Sequence, residues 1–213
     1  RLVTFSYAHV PWIKKAQKIL EIKGLPDPGD KLKMFLTGYR IMKDAGYLPI
    51  GLDHYAHPED ELSVALRNRT LHRNFQGYCT RETTGQVYAA GITGISQLEN
   101  AYIQNTRNME FYLDQTGKGI FPVEKGYSLS RKEKVIRHVI NGIMCNSYLS
   151  WELASRELGL PTDEIKSMVG FDEHLPDEFA SDGLLSYNGN ELELTETGRF
   201  FVRNIAAAFD PGF

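Results

Sequence analysis

The sequence predicts an α/β first half followed by a mostly helical second half that ends in a winged-helix-like pattern. Three observations carry this reading. Strand-like and helix-like stretches alternate over Arg1 to Arg67. From Ser130 onward, helical stripes of Val and Ile dominate. Near the end, Asn188-Gly189 stands between two short alternating runs, which is the strongest local hairpin signal. The change of character divides the chain into 1–127 and 128–213.

In chain order, Arg1 to Tyr7 is rich in β-branched and aromatic residues and reads as a strand, stopped by Pro11. A helix is expected next, with Trp12, Ile13, Ala16, Ile19 and Leu20 on one face, Lys14, Lys15 and Lys18 on the other, and Gly24 closing it. Asp27-Pro28 is a helix start, Asp as N-cap and Pro at the first helical position. Leu32, Phe35, Leu36, Tyr39 and Met42 make its apolar stripe, and Gly46 suits its C-terminal end. Leu48 to His54 reads as a short buried strand ending at Asp53-His54, and Pro58 opens a helix that turns Leu62, Ala65 and Leu66 inward. Residues Leu71 to Thr80 read as a loop, Gln86 to Ser96 as a strand of small residues that admits a ligand or a neighbouring backbone, and Tyr102 to Asn105 as a polar lead into a helix through Met109, Tyr112 and Leu113. Ser130 and Glu133 form a capping box ahead of the stripe Val135, Ile136, Val139, Ile140 and Ile143. Short helices are expected over Trp151–Leu158, Thr162–Val169 and Asp177–Asp182, then the hairpin, then one helix over Thr197–Phe209.

Composition narrows the function. With 42% hydrophobic and 24% charged residues the chain can bury a core, and no apolar run approaches membrane-spanning length. A net charge of −3 gives no electrostatic case for nucleic acid or an anionic membrane as partner. Cys79 and Cys145 make no pair with metal spacing, so reduced thiols and a cytoplasmic location are expected. The start at Arg1 rather than Met leads to the expectation of a C-terminal part of something longer.

Leu71 to Tyr78 carries the richest chemistry, with an imidazole, a guanidinium, two side-chain amides and two aromatic rings around Gly77. Such a mixture suits a polar ligand bearing a flat ring. His72 and Arg73 can recognise carboxylates, with Arg81 able to join them, because a guanidinium offers a planar fork of donors. The plain alternative is an Arg held by a surface acid. Phe75 and Tyr78 can stack on a purine and Gln76 can bond its edge; alternatively Phe75 is core. Asp53, His54 and His57 have the donor types of a metal site but lack a third motif at ligand spacing, so no metal ligand is assigned; hydrogen bonding between turns is the simpler reading. Cys79 reads as an inert thiol and Cys145 as packing. The helices and hairpin at the end could serve DNA binding, but Glu191, Glu193 and Glu196 oppose it.

The blocks Tyr7-Ala8-His9-Val10-Pro11, Ile50 to Ala56, Pro58 to Leu62, His72 to Tyr78, Gly94-Ile95-Ser96, and Gly198 with Val202 to Ile205 run in order through nearly the whole chain. In them the sequence resembles the C-terminal half of the oxygen-independent coproporphyrinogen III oxidases. The resemblance implies the last strands and helices of a partial (β/α) barrel, followed by the helical C-terminal domain. It implies oxidative decarboxylation of the ring A and B propionates of coproporphyrinogen III to vinyl groups, with a [4Fe-4S] cluster, two S-adenosylmethionine molecules and an electron donor. The family's C-x3-C-x2-C cluster motif is absent here, so the chain alone is expected to be inactive. Carried over, Ala8 and Ile95 match positions that contact adenosylmethionine, and Phe75 and Gln76 match positions beside the second one. Contacts of His72, Arg73 and Arg81 to substrate are inferred from charge. The sequence departs from the family at Cys79, where Thr is common, and at His57. A monomer is expected. The rival readings are a haem-binding or haem-delivery module with His9, His54 or His72 as axial ligand, and a winged-helix DNA-binding protein.

Overall fold

A computed structural model describes residues 1–81 and 85–212. The chain forms two compact units, Arg1–Val64 and Ala65–Phe213.

In the first unit, β1 (Leu2–Val3), β2 (Leu48–Gly51) and β3 (His54–Ala56) form a sheet in the order β1-β3-β2. Both outer strands are antiparallel to β3. They therefore run in the same direction, joined through α1 (Lys18–Lys23) and α2 (Pro28–Asp44). Asp27 accepts from the Asp30 N–H at 2.8 Å as α2 begins, and Gly46 takes φ +82° just past its end, both as the sequence implies. Ile50, Tyr55, Ala56 and Leu62 form the buried centre, with the Tyr39 ring edge-on to Tyr55 at 6.4 Å.

Four expectations need correction here. The first strand is only Leu2–Val3. The helix expected from Trp12 starts later, as a 3-10 turn over Lys15–Gln17, because Val10 O accepts from both Ile13 and Lys14 in a turn set by Pro11. Its apolar face is consequently not formed, and Trp12, Ile13 and Ile19 lie exposed. Asp53 sits in the turn between β2 and β3 beside Leu52 (φ +49°), so His54 opens a strand instead of ending one. The helix after Pro58 is α3 (Glu61–Arg67), capped by Asp60, whose carboxylate accepts from the Leu62 N–H at 2.8 Å.

The second unit is built on α5 (Arg131–Asn146), which opens on the expected Ser130–Glu133 capping box and buries Val135, Val139, Ile143 and Cys145. Before it come the hairpin β4 (Leu71–Arg73) and β5 (Tyr78–Thr80), then the sheet β6-β7-β8 (Ile95–Gln97, Ala101–Asn105, Val123–Ser128), with α4 (Met109–Gly117) between β7 and β8. After it come β9 (Tyr148–Ser150), α6 (Trp151–Leu158), α7 (Thr162–Met168), α8 (Leu175–Ser181), β10 (Leu185–Tyr187) and β11 (Glu191–Leu194). The order β10-β11-β9 places the Asn188-Gly189 hairpin at the sheet's edge. Trp151, Phe171 and Phe209 pack ring against ring, Trp151 with Phe171 at 4.9 Å and Phe171 with Phe209 at 5.8 Å.

The expected strand over Gln86 to Ser96 is confined to its end: Val87 makes an isolated bridge to Gln97, and left-handed residues at Gly91 (φ +93°) and Thr93 (φ +61°) interrupt the extended backbone. Tyr102 to Asn105, expected as a polar lead, lies in the central strand β7. The final helix is broken at Phe201 (φ −104°, ψ 14°) into α9 (Glu196–Phe200) and α10 (Val202–Ala207). The boundary expected after residue 127 falls at the last residue of β8, inside the second unit.

Candidate functional site

The stretch expected as a loop is a β-hairpin. Leu71 pairs with Thr80, His72 with Cys79 and Arg73 with Tyr78. Its tip is organised by Asn74, whose Oδ1 accepts from the Gln76 N–H at 2.8 Å and the Gly77 N–H at 3.2 Å. Asn74 N–H donates to Gly77 O at 3.0 Å, and Gly77 holds φ +148°, a region glycine tolerates best. This tight turn lifts Phe75, 59% exposed, and Gln76 out of the hairpin. The Phe75 ring meets Tyr102 of β7 edge-on at 5.3 Å.

The base of the hairpin is tied to the end of α5. Asn146 acts on Leu71 as a neighbouring strand would: its Oδ1 accepts from the Leu71 N–H at 3.0 Å and its Nδ2 donates to Leu71 O at 3.2 Å. Tyr78 donates its hydroxyl to Met144 O at 3.1 Å. Sequence reasoning missed Asn146, since a lone Asn at a helix end carries no signal of a partner 75 residues away.

Successive side chains of a strand leave on opposite faces. Tyr78 and Leu71 are buried on the face toward α5, so Arg73 shares that face, its guanidinium 5.7 Å from the Tyr78 ring. His72 and Cys79 share the other face, where they line an open cavity of about 300 Å³ with Thr80, Gly85, Gln86 and Val87. His72 Nε2 and Arg73 Nε are both buried and have no hydrogen-bond partner among the described residues. Arg81 follows β5 and lies along Gly85: a Cβ there would stand 3.1 Å from the Arg81 Cγ and Nε. Arg137 of α5 donates to the carbonyls of Leu98 and Glu99 at 3.2 and 2.6 Å and sits 5.7 Å from the Tyr102 ring.

Burial, and then the nearby charges of Arg81 and Arg137, hold the His72 pKa below the ordinary 6.5. Burial lowers that of His138 too, against the pull of Glu157 at 3.3 Å. The folded chain therefore keeps both imidazoles neutral where the unfolded chain has begun to bind protons. Stability is fully present above the ordinary value of 6.5 and is lost as pH falls below it toward the folded values. Urea midpoints are expected to be lower at about pH 5.5 than at about pH 7.5, and a His72→Gln/His138→Gln variant is expected to flatten the difference.

The remaining predicted residues stand elsewhere. Ile95 lies in β6, opposite Gln104. Just before it, Asn105 Nδ2 donates to Ala89 O and Gly91 O at 3.2 and 2.9 Å, and a Cβ at Gly94 would stand 3.1 Å from Ala90 O. The small residues there thus admit neighbouring backbone. In the first unit, Ala8 O accepts from Gln17 Nε2 at 3.1 Å, and His9 bonds Glu21 at 2.9 Å. His54 bonds Asp53 at 2.7 Å, while the His57 ring packs on Tyr47 at 4.5 Å. Both cysteines are free thiols, and burial pushes Cys145 up to about 12, which makes it chemically inert.

No protein-family model matches the chain. Among solved structures, it is similar to the coproporphyrinogen III oxidase of Escherichia coli, described as a radical SAM (S-adenosylmethionine) enzyme. The TM-score is 0.87 and the identity 32%, over 99% of this chain and 48% of that one. The oxygen-independent coproporphyrinogen III oxidase of Synechocystis is 38% identical over 99% of this chain and 45% of its own length. The enzyme of that name from Helicobacter pylori strain J99 is 36% identical with the same coverage. The chain is thus homologous over nearly its whole length to part of a radical SAM enzyme. In particular, its homologues are the oxygen-independent coproporphyrinogen III oxidases, as the residue blocks imply, and it spans about half the length of the curated relatives it matches.

Proposed function

We propose that this chain supplies the ligand-facing part of an oxygen-independent coproporphyrinogen III oxidase. The reaction converts the ring A and B propionates of coproporphyrinogen III to vinyl groups, giving protoporphyrinogen IX in haem biosynthesis. The observation that carries the reading is the hairpin tip. Phe75 is held out, 59% exposed, on a hydrogen-bonded turn, where an aromatic ring can stack on an adenine, and Gln76 stands beside it as a hydrogen-bonding group.

Bound S-adenosylmethionine supplies the radical chemistry in such enzymes. The residues here orient it: Phe75 and Gln76 hold the second of two such molecules, and Ala8 and Ile95 contribute contacts to adenosylmethionine. His72, Arg73 and Arg81 face substrate, Arg73 from the α5 side of the hairpin and His72 from the other. The [4Fe-4S] cluster does not fit this chain. Among the described residues no group of three His, Cys, Asp or Glu side chains can hold a metal, and the two cysteines lie far apart in sequence. No step is routed through the cluster, and the chain on its own is inactive in this reading. The same reading has 1–127 as barrel-derived and 128–213 as a winged-helix-like domain, working as a cytoplasmic monomer with an electron donor and without nucleic acid. No helix among the described residues is long and apolar enough to cross a membrane.

Phe75→Ala and Gln76→Ala test the tip. Loss of one stacked ring is expected to cost about 1–3 kcal/mol of S-adenosylmethionine affinity, measured by calorimetry. Because Phe75 is mostly exposed, its removal leaves no cavity and the melting temperature stays within about 2 °C. A collapse of stability would mark the ring as core and remove the ligand reading.

A further inference from the structure

We propose that Gln17 is a positioning residue for ligand binding: its side-chain amide fixes the backbone of Ala8 to Val10, and with it the contact that Ala8 makes to S-adenosylmethionine. This deepens the functional reading above and rests on it.

The first observation is a clip. Gln17 Oε1 accepts from the Val10 N–H at 2.7 Å, and its Nε2 donates to Ala8 O at 3.1 Å. One amide thus holds the backbone on both sides of His9. Ala8 to Val10 belong to no strand or helix, so no ladder fixes them. The second is the helix that carries the clip. Gln17 ends the 3-10 turn that leads into α1, and Glu21, four residues on, reaches His9 Nε2 at 2.9 Å. Two side chains on one helical face therefore hold three consecutive residues. These bonds, rather than an apolar face, seat α1, since Ile19 and Ile22 stay 61% and 84% exposed. The third is what the clip does not do. Ala8 is exposed, as are Tyr7, Trp12 and Ile13 around it, so the clip closes no apolar core. The fourth is the nature of Ala8. A methyl side chain has no rotamer with which to adjust, so the place of any contact it makes is set by its backbone alone. Gln17 sets that backbone, and a segment that is held in one arrangement in advance binds without first having to be ordered.

The test titrates the 213-residue chain and its variants with S-adenosylmethionine by calorimetry. Gln17→Met keeps the side chain's length and removes both strong hydrogen-bonding groups. Its affinity is expected to fall about tenfold, the scale of two ordinary hydrogen bonds lost from the competent arrangement. Gln17→Glu keeps an acceptor for the Val10 N–H but offers no donor to Ala8 O, so its affinity should lie between the two. The melting temperature of Gln17→Met should stay within about 2 °C, because the segment it releases is exposed. Amide hydrogen exchange should quicken at Val10 and hold at the buried Ile50 and Tyr55. A melting temperature lower by more than about 4 °C would mark Gln17 as structural and overturn the proposal. Unchanged affinity in Gln17→Met, with binding still weakened by Phe75→Ala, overturns the positioning role alone. A chain that binds no S-adenosylmethionine, or whose binding neither variant weakens, overturns the functional reading with it.

Discussion

Gly198→Ala is expected to destabilise the second unit by about 3 kcal/mol or more, the scale reached when an added methyl has no space to occupy. A Cβ at Gly198 would stand 1.8 Å from Leu184 O, far inside contact distance. That carbonyl cannot retreat. It accepts from the Thr195 N–H at 2.9 Å and from the Thr195 hydroxyl at 3.1 Å, and the same hydroxyl caps α9 by accepting from the Gly198 N–H at 3.0 Å. The close crossing of α9 over the start of β10 thus depends on the missing side chain. Thermal denaturation should show a fall in the melting temperature of about 6–12 °C. Gly38→Ala is the contrast: it lies inside α2 with nothing within 4 Å, so alanine there should be neutral or stabilising by up to about 1 kcal/mol. Equal effects at the two positions would contradict the steric account.

Asn146→Ala should uncouple the hairpin from α5. The substitution leaves both the N–H and the C=O of Leu71 without their partner, although Leu71 is 4% exposed. Each such orphaned group costs about 1–3 kcal/mol, so a total of roughly 2–6 kcal/mol is expected. The loss is local first. Tyr78 to Met144 remains as the second tie, so the hairpin should loosen while the rest of α5 stays folded. Amide hydrogen exchange reads this directly: protection at Leu71 should fall sharply while that of Val139 and Ile143 changes little. S-adenosylmethionine affinity should fall in parallel, since Phe75 and Gln76 are carried on the same hairpin. An unchanged exchange rate at Leu71 would show that Asn146 does not anchor it.

These two residues also mark the limit of what the sequence reveals. Features fixed by neighbours along the chain were legible: the Asp27-Pro28 start of α2, the Ser130–Glu133 box of α5, and the Asn188-Gly189 turn, where Asn188 Oδ1 accepts from Asn190 and Glu191 N–H at 3.0 and 2.7 Å. Features fixed by distant partners were not. Leu71 to Thr80 has the composition of a loop, and it becomes a hairpin because Asn146 and Met144 receive its base. Trp12 to Leu20 has the periodicity of a helix, yet the turn after Pro11 delays it. Thr197 to Phe209 carries one stripe, but Phe201 leaves helical geometry where α9 gives way to α10. At the site, the exposure of Phe75 followed from the Asn74-to-Gly77 turn. The separation of His72 and Arg73 onto opposite faces required the strand register, which composition does not contain.

The central claim is that this chain carries the ligand-facing half of a coproporphyrinogen III oxidase. Exchanging it for the matching part of the Escherichia coli enzyme tests that most directly. The hybrid is predicted to form protoporphyrinogen IX from coproporphyrinogen III, and Phe75→Ala within it to lower that rate about tenfold. A hybrid that folds and retains its iron–sulfur cluster yet forms no product would contradict the account.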